Sequence, residues 1–210
     1  MNLLKCNMKF IAQLLSRLFH PILLPFYGYQ LLFHSGCFFT LISPSMIYFI
    51  LITVVISTIL LPLLAIVVWQ FFNKKRLNLD EQHDRVVPYF VTIVGYLLGA
   101  FVLKFVSIYE IYSQILVVCS FVIVVIQLIN IHWKISAHMA AIGGILGVFF
   151  GLSRWAMWNQ FPISIALILL SGLLGSSRLL LDKHTPAQVY AGFALGFSFP
   201  FIYLELFFAN

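Results

Sequence analysis

Charge is scarce in this chain and acid scarcer than base: six Asp and Glu stand against twelve Lys and Arg in 210 residues, and charged side chains make up 9%. A soluble domain carries roughly a quarter of its residues as charges, so a soluble globular fold is excluded. The acids form no cluster suited to magnesium, which excludes the aspartate-rich membrane prenyltransferases and CDP-alcohol phosphotransferases. Cysteine is as sparse. Cys6, Cys37 and Cys119 sit at no ligand spacing and make no even framework, so neither disulfides nor zinc are expected, and no other cofactor is implied. No basic run is interleaved with exposed aromatics, so nucleic acid is not a partner; the net charge of +6 suits headgroups and an anionic substrate.

What is present is apolar side chain, 62% of the residues at a mean hydropathy of +1.06, in long runs broken by short polar segments. That is the pattern of an all-α, multi-pass protein of the lipid bilayer, read as one domain over 1–210. Met1 to Arg17 carries Lys5, Lys9 and Arg17 on an amphipathic stretch suited to a membrane surface. No small-residue cleavage site follows the first apolar run, which is expected to be retained. Seven spans are expected, near 18–33, 44–72, 88–105, 112–131, 139–152, 161–174 and 187–208. The first contains His20, Pro21 and Pro25 and is expected to be kinked or broken. His20 and His34 are a poor haem pair, because both lie on or beside that one span whereas axial ligands face each other from different helices. Lys74, Lys75 and Arg76 behind the second span, and Arg154 with two tryptophans behind the fifth, read as interfacial anchors. Gly143 and Gly147 form a GxxxG pair that permits close helix contact.

Polar residues gather at three places. Thr185 with Gln188 three residues on matches a capping box, and Pro186 suits a first helical position, so a helix begins here with His184 at its mouth. Backbone N–H groups and the positive end of the dipole favour an anion there, and Arg178 adds a planar cation. Ser136 is an N-cap that puts His138 in the same setting at the fifth span. Arg85 stands within a turn of the third span, where it either snorkels to headgroups or reaches inward. Two spans separate Arg85 from His138 and two more separate His138 from Arg178, so all three clusters fall on one membrane face and can converge. Two arginines and two histidines at helix entrances make an anion clamp with two groups able to move protons or attack.

These residues resemble the motifs of the type-2 phosphatidic acid phosphatase superfamily of membrane lipid phosphatases. The third motif, Ser-Arg, five residues, His, three residues, Asp, is met by Ser177, Arg178 and His184, with Gln188 in the last position. The second, Pro-Ser-Gly-His, corresponds to Ile135-Ser136-Ala137-His138. In the first, Lys, six residues, Arg-Pro, Arg85 fits, Asn78 holds the lysine's place and the proline arrives late at Pro88. The resemblance covers roughly 77–192.

The resemblance implies a six-helix core with one extra amino-terminal segment and a metal-independent phosphatase. His184 would attack phosphorus to form a phosphohistidine, and His138 would protonate the leaving alcohol and then activate water. Arg85, Arg178, Ser136 and Ser177 would hold the phosphate oxygens, Gln188 would orient His184, and Lys134 or Lys183 would stand in for the first-motif lysine. The substrate would be a membrane lipid phosphate of the phosphatidic acid, phosphatidylglycerophosphate or polyprenyl phosphate class. Two other readings stay open: a non-catalytic lipid-phosphate binder on the same fold, and a small transporter or structural membrane protein. With seven spans, ten of the twelve Lys and Arg share the site's face against Lys104 and Arg154; without Arg85, Lys134, Arg178 and Lys183, six remain against two. The positive-inside rule then expects a cytoplasmic site, and the resemblance implies a multi-pass protein of a bacterial inner membrane.

Overall fold

The structure, a computed structural model, describes residues 2–74, 83–106, 110–153, 155 and 159–209, and among them the regular structure is helical. The helices are α1 (Asn2–Leu18), α2 (Leu24–Phe33), α3 (Pro44–Val55), α4 (Leu61–Asn73), α5 (Val86–Val106), α6 (Ile111–Asn130), α7 (Ala137–Ser153), α8 (Phe161–Leu180) and α9 (Pro186–Ala209). Five stretches are long and apolar enough to cross a membrane: Pro44–Asn73, which joins α3 to α4, Val86–Phe105, Ile111–Asn130, Phe161–Leu180 and Pro186–Ala209. The protein is thus a multi-pass helical membrane protein.

The expected first span is broken, and more completely than a kink. His20 and Pro21 lie in a turn after α1, and α2 has only 10 residues. At 1.5 Å per residue it reaches about 15 Å, half of a hydrocarbon core of about 30 Å, so α2 does not cross by itself, and a crossing before Pro44 needs the stretch behind α2 as well. The fifth expected span is α7, whose 17 residues are apolar but shorter than the five span-length stretches. The sixth runs past 174 to Leu180, which puts Ser177 and Arg178 on a helix rather than in a loop.

The chain packs as two compact units, Met1–Leu24 with Lys134–Asn210, and Pro25–Trp133. In the second, α3 passes into α4 through a π-helical turn, Ile56–Leu60. Pro62 lacks the N–H that would bond four residues back, and the wider turn accommodates it. The turn meets α5 at a glycine: a Cβ on Gly95 would lie 2.3 Å from the Ser57 carbonyl oxygen.

The first unit is built on α7 against α9. Their backbones approach so closely that a Cβ on Gly147 would sit 2.3 Å from the Phe197 carbonyl oxygen, and one on Gly196 only 2.0 Å from that of Ala140. The GxxxG pair of α7 therefore does make a close helix contact, answered by Gly192 and Gly196 on α9. α1 packs on α8. Its deeply buried residues are Ala12 and Ser16, one turn apart, while Phe10, Ile11, Leu14 and Leu18 face outward. α1 is an amphipathic helix as the sequence suggests, but one side of it belongs to the core of this unit.

Candidate functional site

The five residues between α8 and α9 are shaped by hydrogen bonds that the sequence encodes locally. α8 ends in a Schellman turn: Asp182 is left-handed at φ 54°, its N–H donates to the Leu179 carbonyl at 3.0 Å, and the Lys183 N–H donates to that of Arg178 at 3.2 Å. Arg178 lies in the last turn, where a cation also suits the helix dipole. At the start of α9 the capping box is formed, the Gln188 N–H donating to Thr185 Oγ1 at 3.4 Å and the Thr185 N–H to Gln188 Oε1 at 3.1 Å.

Gln188 does a second task. His184 is buried, and its Nδ1 lies 3.2 Å from the same Oε1. The Thr185 N–H can only donate, which identifies that Gln188 atom as oxygen, so the imidazole must donate to it from Nδ1–H. The ring's lone pair is then on Nε2. Gln188 thus caps α9 and selects the tautomer of His184, and its main-chain carbonyl accepts from the Ser136 N–H at 3.3 Å. That bond ties the entrance of α7 to the first turn of α9.

Ser136 immediately precedes α7, and its carbonyl accepts from the Ala140 N–H at 3.0 Å. Its hydroxyl, however, caps nothing: Ser136 is 0% exposed and Oγ has no hydrogen-bond partner. A buried donor left unmade costs about 1–3 kcal/mol, so a group that supplies an acceptor here gains that much. Ser177, by contrast, is committed as a donor, its Oγ bonding the Leu173 carbonyl in its own helix at 2.8 Å. It is not presented as a donor to an anion. Lys134 and Lys183 are half-buried.

His138, ahead of the apolar stretch that starts at Met139, is held by residues that the motifs do not include. Its Nε2 lies 3.1 Å from the Ser16 carbonyl oxygen, and its ring meets that of His20 edge-on, at 5.6 Å between centroids and 78° between planes. Burial, first, and then the charges of Arg178, His20 and His184 lower its pKa from 6.5 to about 3, against a smaller raising effect of the Ser16 bond. His20 keeps a face open to solvent, yet the protein around it and then Arg178 lower its pKa too. Its Nδ1 accepts the Ile22 N–H at 3.3 Å, which puts the proton of the neutral ring on Nε2. Three imidazoles and one guanidinium therefore act on one another inside this unit.

A ring that is neutral in the fold but charges at 6.5 when unfolded binds fewer protons in the native state. Stability is accordingly lost as pH falls from about 6.5 towards about 3. His138→Gln, whose amide N–H can still reach the Ser16 carbonyl but cannot titrate, is expected to flatten this acid loss, read as thermal unfolding in detergent between about pH 7 and about pH 4. An unchanged acid slope would show that His138 is not the group responsible.

Arg85 belongs to the other unit. It ends the 3-10 turn His83–Arg85 that leads into α5, is buried with Asp84, and its side chain hydrogen-bonds Tyr89. Burial makes it an inward residue rather than an exposed headgroup anchor. Asn78, Lys75 and Arg76 lie outside the described residues, as do Arg154 and Trp158. His34 uses its Nδ1 on the Gln30 carbonyl, one turn back on α2, at 2.8 Å.

Fold and cluster together define a class: a multi-pass helical membrane protein with a partly buried imidazole and guanidinium cluster at the entrances of two helices. Compared with known families, with curated proteins and with solved structures, the chain has no match.

Proposed function

We propose that this protein is a lipid phosphate phosphatase of the type-2 phosphatidic acid phosphatase kind, working through a phosphohistidine on His184 and without a metal ion. The observation that carries the reading is the pairing of a tautomer-fixed His184 with Arg178 and His138, beside the unpartnered buried hydroxyl of Ser136. A tetrahedral dianion fits what these groups offer: a planar fork from Arg178, a hydroxyl donor from Ser136 and backbone N–H groups at two helix entrances. The six-helix core of this reading is made of the five span-length stretches and α7. The substrate class is a phosphomonoester or diphosphate of a bilayer lipid, of the phosphatidic acid, phosphatidylglycerophosphate or polyprenyl type.

In the first step the Nε2 lone pair of His184 attacks phosphorus and the bond from phosphorus to the lipid oxygen breaks. The leaving oxygen takes a proton from His138. In the resting protein that ring is neutral, so the bound phosphate must first raise its proton affinity, offsetting the charge of Arg178. In the second step neutral His138 takes a proton from water, the hydroxyl attacks phosphorus, the bond to Nε2 breaks, and inorganic phosphate leaves with His184 restored. Gln188 cannot stabilise an imidazolium as a carboxylate would, and this predicts slower turnover than an aspartate there. The same observation favours a second reading, a binder that holds lipid phosphate without hydrolysing it.

Arg178→Lys separates a clamp from an anchor. A point charge cannot reproduce a bidentate fork, so kcat/KM is expected to fall on the order of a hundredfold, whereas an arginine that only met headgroups would leave it at the wild-type value.

Sidedness is proposed to be cytoplasmic in a bacterial inner membrane. The end of α1 stays on the site's face, because Ser16 touches His138. Ala187 is exposed in the first turn of α9. Ala187→Cys in a cysteine-free background is expected to resist a membrane-impermeant thiol reagent in intact cells and to react after permeabilisation. Labelling of intact cells would put the site outside and turn the substrate search to lipid carriers of that leaflet.

A further inference from the structure

α1 stops at Leu18, and Pro21 has no N–H with which to continue it. The last four carbonyls of a helix have no intrahelical donor, and that of Ser16 is one of them. It finds its donor on a residue 122 positions away, the ring of His138. A carbonyl only accepts, so Nε2 of His138 must carry the proton and the lone pair of the neutral ring is on Nδ1. The His20 ring lies against the same imidazole and is held by its own Nδ1, which accepts from Ile22. Ser16 itself is 7% exposed, and its hydroxyl has no hydrogen-bond partner.

We propose that the amino-terminal segment is a working part of the site: the Ser16 carbonyl holds His138 as its Nε2–H form and the His20 ring braces it, so that His138 exchanges protons with substrate through Nδ1. This rests on the phosphatase reading for its chemistry but not for its geometry. His138 then gives the proton on Nδ1 to the leaving alcohol oxygen, and the emptied Nδ1 takes one from the attacking water, while Nε2–H stays on Ser16 throughout. Ser16 and His20 are positioning residues. The charged and titratable groups that act on His138 are Arg178 from the end of α8, His184 from the entrance of α9 and His20 from the turn after α1.

The test uses the full chain, labelled with 15N-histidine, in detergent. Ring nitrogens of each histidine are assigned by single His→Gln variants, and correlation spectra read the tautomers directly. His138 is expected as the Nε2–H form at neutral pH; an Nδ1–H form overturns the proposal. His20→Phe keeps a ring and removes a charge, so the midpoint of His138 is expected to move up. His20→Ala removes the brace: kcat on a lipid phosphate is expected to fall about tenfold with KM within about twofold, and His20→Phe to recover part of that loss. Wild-type kcat in His20→Ala, with the His138 signals unmoved, also overturns it. If His20→Ala fails to fold, the tautomer of the wild-type protein still decides. A wild-type protein that releases no phosphate yet shows the Nε2–H form would sink the phosphatase reading and leave the Ser16 contact standing.

Discussion

His184→Ala is expected to lose phosphate release by roughly a thousandfold or more, and with it any acid-labile, base-stable phosphoenzyme, because among the described residues no other imidazole stands at the entrance of α9. His138→Ala is expected to behave differently. With His184 retained, the phosphoenzyme still forms, but both its formation and its hydrolysis slow by about 10²–10⁴-fold, the usual contribution of a positioned general acid and base. Rapid-quench measurement of phosphoenzyme beside steady-state release distinguishes the two. A His184→Ala protein with near-normal turnover would exclude the nucleophile assigned here. The Nδ1 bond to Gln188 gives the assignment its direction, since it leaves the lone pair of the neutral ring on Nε2.

The largest stability effect is expected at Gly196. A methyl there would sit 2.0 Å from the Ala140 carbonyl oxygen, which is backbone and cannot rotate away, so α7 and α9 must separate. Overpacking in cores costs about 1–3 kcal/mol and this case lies at or above the top of that range. Because α7 carries Ser136 and His138 at its entrance and α9 carries Gln188, the same separation pulls the site apart, and activity should fall with stability. Gly172 on α8 is the control: it has open space around it, so Gly172→Ala should be neutral or gain up to about 1 kcal/mol from helix propensity. Thermal unfolding of both variants in detergent checks this. Equal melting temperatures would mean that the close approach of α7 and α9 is not what holds this unit together.

What the sequence reveals of this site is what is local in the chain. The capping box of Thr185 and Gln188 and the reach of Gln188 back to His184 both follow from helical spacing, and they form together although they look like competing roles. The glycines at 143 and 147 announce a close partner, because small residues one turn apart have few other uses in an apolar helix. The span near 18–33 is legible in part: His20 and Pro21 announce the break, but its hydropathy is that of a crossing helix, whereas α2 behind the break has only 10 residues and is too short to cross by itself. Ser16 is illegible for a different reason. It acts through a main-chain carbonyl on a histidine 122 residues away, and no residue-type pattern carries such a contact. Ser177 matches its motif by type, yet its hydroxyl is used by the α8 backbone. Arg85 reads as either anchor or inward residue, and only burial separates the two.

Hydrolysis of a lipid phosphate without a metal ion is what separates a phosphohistidine phosphatase from a protein that only binds such lipids. The direct measurement is release of inorganic phosphate by the purified 210-residue chain in detergent with excess EDTA, across phosphatidic acid, phosphatidylglycerophosphate and polyprenyl phosphates and diphosphates. Release from at least one of these that persists in EDTA and disappears in His184→Ala is the predicted result. Binding of the same lipids by a folded protein with no release from any of them, or release that EDTA abolishes, would contradict it.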